Sequence, residues 1–116
     1  MSKMREIKFR AWDSETDSML YDDPNGNCLN AKQCGMDHLK IMQFTGLKDK
    51  KGKEIYEGDI LSKKGAYVVW GSSLGCWCFT FKGDEIKTPL FYEDDFKRLE
   101  IVGNIYENPE LLEGGD

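Results

Sequence analysis

The side chains best suited to metal chemistry are four cysteines and a single histidine. They are Cys28, Cys34, His38, Cys76 and Cys78. A structural zinc ion takes four such ligands, usually from pairs with about two to four residues between them. Five residues separate the first two cysteines and one residue separates the last two. Because neighbouring side chains on one face of a strand diverge, we predict free thiols, no metal site and no cofactor.

A second pattern resembles the beginning of a calcium-binding loop. Asp23, Asn25 and Asn27 alternate as the first three ligands of a helix–loop–helix calcium site do. The following position requires glycine and the last ligand position requires glutamate, but Cys28 and Cys34 stand there. Since both failures fall where the geometry is strictest, the pattern predicts an Asx-type turn and no bound calcium.

Nucleophilic catalysis by a cysteine or serine would have to use His38, the only imidazole in the chain. Cys34 precedes it by four residues, which would place both on one face of a helix. The chain also has two adjacent carboxylate pairs, Asp22/Asp23 and Asp94/Asp95. These pairs lie in turn-like segments and point in different directions, as surface residues do. We therefore predict no catalytic residues and a protein that is not an enzyme.

Six lysines form the remaining candidate site. They are Lys48, Lys50, Lys51, Lys53, Lys63 and Lys64. The first four lie at a predicted hairpin tip and the last two end a nearby strand, so a small barrel would gather them into one basic rim. Aromatic rings beside that rim could stack on nucleic-acid bases; the candidates are Trp12, Tyr56, Tyr67 and Trp70. The net charge is −5, whereas dedicated nucleic-acid binders carry a basic excess, so nucleic-acid binding is the alternative hypothesis.

The elements that must position these residues are short strands between glycine-rich turns. Alternation over Arg5–Trp12 predicts a strand that buries Ile7, Phe9 and Ala11, and Ser18–Tyr21 returns beside it as a hairpin. The clearest hairpin joins Ala66–Trp70 to Cys76–Lys82. On its second strand Trp77, Phe79 and Phe81 share the face expected in the core, because each aromatic ring buries a large area.

The other predicted strands follow the same pattern of apolar residues between turn signals. They are Leu39–Leu47, Ile55–Tyr56, Asp59–Ser62 and Leu99–Tyr106. Short helical segments are expected over Asn30–Asp37 and 108–112. The glycines of the central turns, Gly46, Gly52 and Gly58, are expected to adopt backbone angles that other residues avoid.

No helical pattern of useful length separates the strands, so a parallel α/β fold is disfavoured. We predict a mainly β fold, a small SH3-like barrel or a strongly bent antiparallel sheet with an N-terminal hairpin and short helical turns. The 116 residues allow a single domain over 1–116 with a frayed tail at 113–116. No apolar run is long enough to span a membrane and no signal peptide is recognisable, so we expect no membrane association and reduced thiols.

Three stretches carry a family resemblance. They are Arg5–Asp13, Gln43–Leu61 and Glu100–Leu112. Together they resemble the YopX family of small phage and prophage proteins. The resemblance implies a bacteriophage or prophage origin and a location in the host cytoplasm, but it implies no activity and no catalytic or binding residue.

These observations favour a non-enzymatic accessory protein of a phage or prophage. Many aromatic residues on a small domain favour contact with a host protein, a phage protein or a second copy of the chain. A homo-oligomer is accordingly expected, and nucleic-acid association through the lysine tips is the alternative.

Overall fold

The computed structural model describes residues 7–21, 38–61, 65–83, 87–89 and 99–113. Nine strands and one short 3-10 helix lie in these ranges. The strands are β1 Phe9–Asp13, β2 Ser18–Tyr21, β3 Leu39–Lys48, β4 Glu54–Tyr56, β5 Asp59–Ile60, β6 Tyr67–Gly71, β7 Cys76–Thr80, β8 Thr88–Pro89 and β9 Gly103–Asn104; the helix is Pro109–Glu113.

The strands form two antiparallel sheets. One has the order β2-β1-β3-β4 and the other has the order β8-β7-β6-β5-β9. Sequential neighbours pair in the β1–β2, β3–β4 and β6–β7 hairpins, as expected where turns of a few residues join the strands. The prediction of a mainly β fold with bent antiparallel sheets, an N-terminal hairpin and short helical turns is confirmed.

Strand β3 bends because its ladder with β4 is interrupted. Phe44 pairs with Tyr56 and Lys48 with Glu54, so the register shifts between the two pairs. Within the irregular stretch, the Thr45 hydroxyl donates to the carbonyl oxygen of Ile55 at 2.8 Å and accepts the backbone N–H of Leu47 at 3.1 Å. The side chain thus replaces ladder hydrogen bonds, which is how a bulged strand keeps its buried polar groups satisfied.

Three glycines have the positive φ angles predicted from the sequence: Gly46 at 89°, Gly52 at 82° and Gly58 at 88°. Gly58 also lies close to another strand, because a Cβ there would be 3.2 Å from the Met42 sulfur. Both the backbone angle and the space beside Met42 therefore favour glycine at position 58.

The main core lies against the β6–β7 hairpin. Ile55, Leu61, Val68 and Trp77 are buried together, and four partly buried side chains surround them: Leu47, Phe79, Leu99 and Ile101. Trp77 and Phe79 thus face the core as predicted. The opposite face of β7 is covered as well, since Cys78 and Thr80 are also buried.

The predicted burial of the first strand is partly wrong. Ala11 is buried, but Ile7 is 66% exposed and Arg10, expected to point to solvent, is only 3% exposed. The reason is a carboxylate on the other sheet, Asp59, which pairs with the Arg10 guanidinium. The alternation of apolar and polar residues along a strand does not reveal such a partner.

The predicted strand Leu99–Tyr106 is shorter than expected, since only Gly103–Asn104 pairs in a ladder. The residues before this strand make single backbone hydrogen bonds to two different parts of the chain. The Leu99 carbonyl accepts the backbone N–H of Lys50, and the Val102 N–H donates to the Ile60 carbonyl. After the strand, the Asn104 side chain accepts the N–H groups of Tyr106 and Glu107 and turns the chain.

Several predictions fall on parts of the chain outside the described residues. They are the Asn30–Asp37 helix, the Asp23, Asn25 and Asn27 pattern, the carboxylate pairs Asp22/Asp23 and Asp94/Asp95, and residues 114–116 of the tail.

Candidate functional site

A buried ion pair joins the two sheets. Arg10 Nη2 of β1 donates to Asp59 Oδ1 of β5 at 2.8 Å, and the two side chains are 4% and 3% exposed. The same nitrogen donates to the Glu57 carbonyl oxygen at 3.2 Å. The second carboxylate oxygen of Asp59 accepts the backbone N–H of Tyr56 at 2.7 Å. Both charges are therefore hydrogen-bonded within the protein, as burial of an ion pair requires.

The ring of Tyr56 lies against the guanidinium of Arg10. Its central carbon lies 4.8 Å from the centre of the Tyr56 ring, and the Tyr21 ring packs edge-on against Tyr56 at 5.8 Å. The Arg10 Nε is buried, and no described residue accepts a hydrogen bond from it. The cation–π contact with Tyr56 offsets part of that loss. Farther along the same strand, Trp12 stacks on Tyr106 with 6.0 Å between ring centres.

Burial shifts the ionisation of the groups around this pair. It raises the pKa of Asp59, even though Arg10 and the Tyr56 N–H both favour the carboxylate. Burial likewise raises the pKa of Glu57, against the opposing hydrogen bond from the Gln43 N–H and the charge of Arg10. The pKa of Tyr106 is raised by burial and by the charge of Glu57. Groups with shifted pKa values also occur in structural ion pairs. Both carboxylate oxygens of Asp59 already accept hydrogen bonds within the protein, which favours a structural role for this residue.

A second buried carboxylate organises the lysine-rich tip between β3 and β4. Asp49 Oδ1 accepts the backbone N–H groups of Lys51 and Lys53, both at 2.9 Å, and its Oδ2 accepts the N–H of Ile101 at 3.0 Å. Burial alone would raise the pKa of Asp49, but these three donors lower it below its usual range. Asp49 therefore closes the turn and ties it to the segment before β9.

The lysines predicted as a nucleic-acid site are partly neutralised. Lys51 Nζ lies 2.8 Å from Glu100 Oε2, and Lys50 Nζ lies 3.5 Å from Glu100 Oε1. This contact raises the pKa of Lys51 and lowers that of Glu100. Lys48 and Lys53 are exposed at the same tip. Lys63 and Lys64 lie outside the described residues.

The aromatic side chains proposed to stack on bases have different surroundings. The prediction that Tyr56 stacks on bases is wrong, because this side chain is only 4% exposed and its ring contacts Arg10 and Phe44. Trp12 and Tyr67 are half-buried, and Trp12 already stacks on Tyr106. Trp70, by contrast, is 43% exposed.

Trp70 belongs to an apolar group at the tip of the β6–β7 hairpin, which we call the tryptophan patch: Trp70, Leu74 and Trp77. Trp70 is paired across the strands with Trp77, and their rings meet edge-on with centres 5.0 Å apart. Leu74 is exposed in the connecting turn, where its N–H donates to the Gly71 carbonyl oxygen at 3.0 Å. The buried Trp77 thus packs against the exposed Trp70 of β6, next to a hydrogen-bonded turn.

Of the cysteines and the histidine, the structure describes three: Cys76 and Cys78 on β7, and His38 just before β3. Cys76 and Cys78 are free, and their sulfurs approach to 4.0 Å, although neighbours on one strand face were expected to diverge. His38 lies between Asp13 and Glu15, each 3.5 Å away. Within the described ranges, no three His, Cys, Asp or Glu side chains are grouped as a metal site would need. Cys28 and Cys34 lie outside those ranges.

Sequence comparison decides the family. The sequence matches the family described as YopX protein over residues 8–113. The chain belongs to the YopX family. The sequence-based identification is thus confirmed, and the matched region includes β1, the lysine-rich tip, the tryptophan patch and β9.

A solved structure shares the fold of this YopX chain. It is protein EF1440 from Enterococcus faecalis, with a TM-score of 0.65, 24% sequence identity, and coverage of 94% of this chain and 99% of that one. At this identity the likeness establishes the fold alone. A search of curated proteins finds no significant match. Of the described residues, none forms a helix long and apolar enough to span a membrane.

The sequence did not identify the Arg10–Asp59 pair, because its two residues are 49 positions apart on different sheets. A basic residue in an alternating strand is usually on the solvent face. The available signal was local: Asp59 follows the glycine of the Glu57-Gly58-Asp59 turn, where a carboxylate can cap a backbone N–H.

Proposed function

We propose that this YopX-family chain is a phage- or prophage-encoded accessory protein that acts in the host cytoplasm by binding a protein, either a host or phage protein or a second copy of itself. It performs no catalysis in this role. The single observation that carries the proposal is the tryptophan patch. Tryptophan is among the residues that contribute most to protein–protein binding energy.

The construction of the patch favours binding. Trp70 presents a large apolar surface at a low cost in side-chain entropy, because the Trp77 ring already restrains it. The turn that carries Leu74 is fixed by backbone hydrogen bonds from Leu74 and Gly75 to the Gly71 carbonyl oxygen. A preorganised apolar tip of this kind suits the centre of a protein interface.

The charged residues support the non-enzymatic part of the proposal. Asp59, the most deeply buried of the described carboxylates, is hydrogen-bonded to Arg10 and to the Tyr56 N–H. Asp49 is occupied by three backbone N–H groups. Because these groups hold the chain together, they are not available to transfer protons to a substrate.

The test compares Trp70→Ala with a control, Ile7→Ala, which removes an exposed apolar side chain that does not belong to the tryptophan patch. Sedimentation velocity of the wild-type protein measures self-association, and affinity capture from phage-infected host lysate measures binding of other proteins. We expect an oligomer or a captured protein that is lost with Trp70→Ala and retained with Ile7→Ala. A strict monomer that captures the same proteins with and without Trp70 would contradict the proposal.

The second candidate is nucleic-acid association through the lysine-rich tip, which is supported by the exposed Lys48 and Lys53. Glu100 should weaken such binding, because its carboxylate pairs with Lys50 and Lys51. Glu100→Gln should strengthen DNA binding and steepen its salt dependence, whereas the combined replacement of Lys50, Lys51 and Lys53 by Glu should abolish it. Failure of the wild-type protein and of Glu100→Gln to bind DNA at low salt would exclude this candidate.

A further inference from the structure

Two thiols lie side by side on β7, on the face away from Trp77. The sulfurs of Cys76 and Cys78 are 4.0 Å apart, and the Cys78 sulfur lies 3.6 Å from the Cys76 carbonyl oxygen. Cys78 is fully buried and Cys76 is partly exposed. The pair is therefore a dithiol made of one fully buried and one partly exposed cysteine.

The strand holds this spacing from both sides. Cys78 pairs with Val69 of β6 and with Pro89 of β8, so the backbone around it is fixed by two neighbours. In an extended strand the Cα atoms of residues two apart are about 6.6 Å from one another, near the upper limit of about 6.8 Å for a disulfide. Direct S–S bond formation would have to draw the sulfurs from 4.0 Å to about 2.0 Å apart, at the limit of this Cα spacing and in a strand that is paired on both edges at Cys78.

A metal ion held between the two sulfurs does not require them to move together in this way. With sulfur–metal bonds of about 2.3 Å, sulfurs 4.0 Å apart subtend an angle of about 120° at the metal. That angle is trigonal and leaves one position for an external donor. Thiolate ligands favour soft ions such as Cu(I), whereas a structural zinc ion takes four protein ligands.

We propose that Cys76 and Cys78 together bind one Cu(I) ion, with an external thiol completing its coordination. Binding converts both thiols to thiolates and releases their two protons to solvent, and no electron is transferred. The partly exposed Cys76 receives the ion first and Cys78 closes the chelate.

Gly71 makes room for this pair. It lies opposite Cys76 in the β6–β7 ladder, and a Cβ at position 71 would be 2.6 Å from the Cys78 sulfur. Any larger residue would push that sulfur out of its position. The requirement for glycine at this point thus comes from the space that the Cys78 thiol occupies.

The test uses the Cys28→Ser/Cys34→Ser protein, so that only the β7 dithiol remains. Cu(I) is titrated in the presence of glutathione and of a competing chromogenic Cu(I) chelator, under anaerobic conditions. We expect one equivalent of bound Cu(I) and a near-ultraviolet thiolate-to-copper absorption band. Adding Cys76→Ser should weaken binding at least tenfold, while the tryptophan fluorescence shows that the fold is retained.

Two results would overturn the proposal. One is equal Cu(I) affinity with and without Cys76→Ser, which would place the ion elsewhere. The other is rapid formation of an intrachain disulfide by oxidised glutathione in the Cys28→Ser/Cys34→Ser protein, because it would show that the strand lets the sulfurs bond directly. Cys76→Ser is the deciding variant because its partly exposed site tolerates the change better than the buried Cys78.

Discussion

Replacing Arg10 by methionine should destabilise the protein more than the same replacement of the nearby Lys8. Methionine keeps much of the apolar stem but leaves Asp59 buried without its cation. Removing one partner of a buried ion pair costs about 3–5 kcal/mol. A chain of 116 residues has a total stability of about 6–17 kcal/mol, so this loss is a large fraction of the whole.

The assay is equilibrium unfolding in urea, followed by tryptophan fluorescence. With a urea dependence of about 2 kcal/mol per molar, the midpoint should fall by about 2 M. Lys8→Met is the matched control, since Lys8 lies two residues away, also pairs with a carboxylate, Glu54, and also contacts an aromatic ring, Phe44. Its pair is about one-third exposed, so the expected loss is about 0–1 kcal/mol.

A double-mutant cycle isolates the interaction itself. Asp59→Asn keeps an oxygen for the Tyr56 N–H but removes the charge that Arg10 neutralises. The Arg10→Met/Asp59→Asn protein should therefore be more stable than the sum of the single losses implies, by at least about 1 kcal/mol. Strictly additive losses, or equal midpoints for Arg10→Met and Lys8→Met, would refute the assignment of this pair as the link between the sheets.

Three further predictions concern the turns and the buried acids. Asp49→Asn should cost about 2–3 kcal/mol in urea unfolding, because one amide oxygen cannot accept three N–H groups. The lowered pKa of Asp49 means that the wild type keeps this contribution above pH 4 and loses it as the pH falls through the folded-state pKa, whereas the variant should not. Glu57→Gln should raise the thermal midpoint at pH 7 and have no effect below pH 4.5, since the raised pKa of Glu57 makes its ionised form unfavourable in the fold. Gly58→Ala should cost about 1–2 kcal/mol for its backbone angle and more than Gly75→Ala, which also has a positive φ angle but lies more than 4 Å from every other described part of the chain that its Cβ could meet.

Local signals predicted the strands and turns well. Alternation placed Trp77 and Phe79 toward the core, and Gly52 and Gly58 have the positive φ angles that their turns required. These features depend on residues close in sequence. The shortened β9 depends instead on Asp49 and Ile60, which take the hydrogen bonds of Ile101 and Val102, and no nearby residue reveals that.

The candidate sites were harder to predict because they depend on which strands meet. Glu100 partly neutralises the lysine tip from across the fold, so a count of nearby lysines overestimates its basic charge. Trp70 was expected only as a face for stacking bases, and its exposure depends on what covers the hairpin tip. The 4.0 Å approach of the Cys76 and Cys78 sulfurs comes from side-chain orientation, which the strand spacing alone does not fix.

Site-specific photo-crosslinking tests the proposed binding surface most directly. The photoreactive residue p-benzoylphenylalanine replaces Trp70 in one protein and the exposed Ile7 in another, and both are irradiated inside phage-infected host cells. We expect a covalent adduct with a protein, or with a second copy of the chain, from position 70 and none from position 7. No protein adduct from position 70, or the same adducts from both positions, would contradict protein binding through the tryptophan patch.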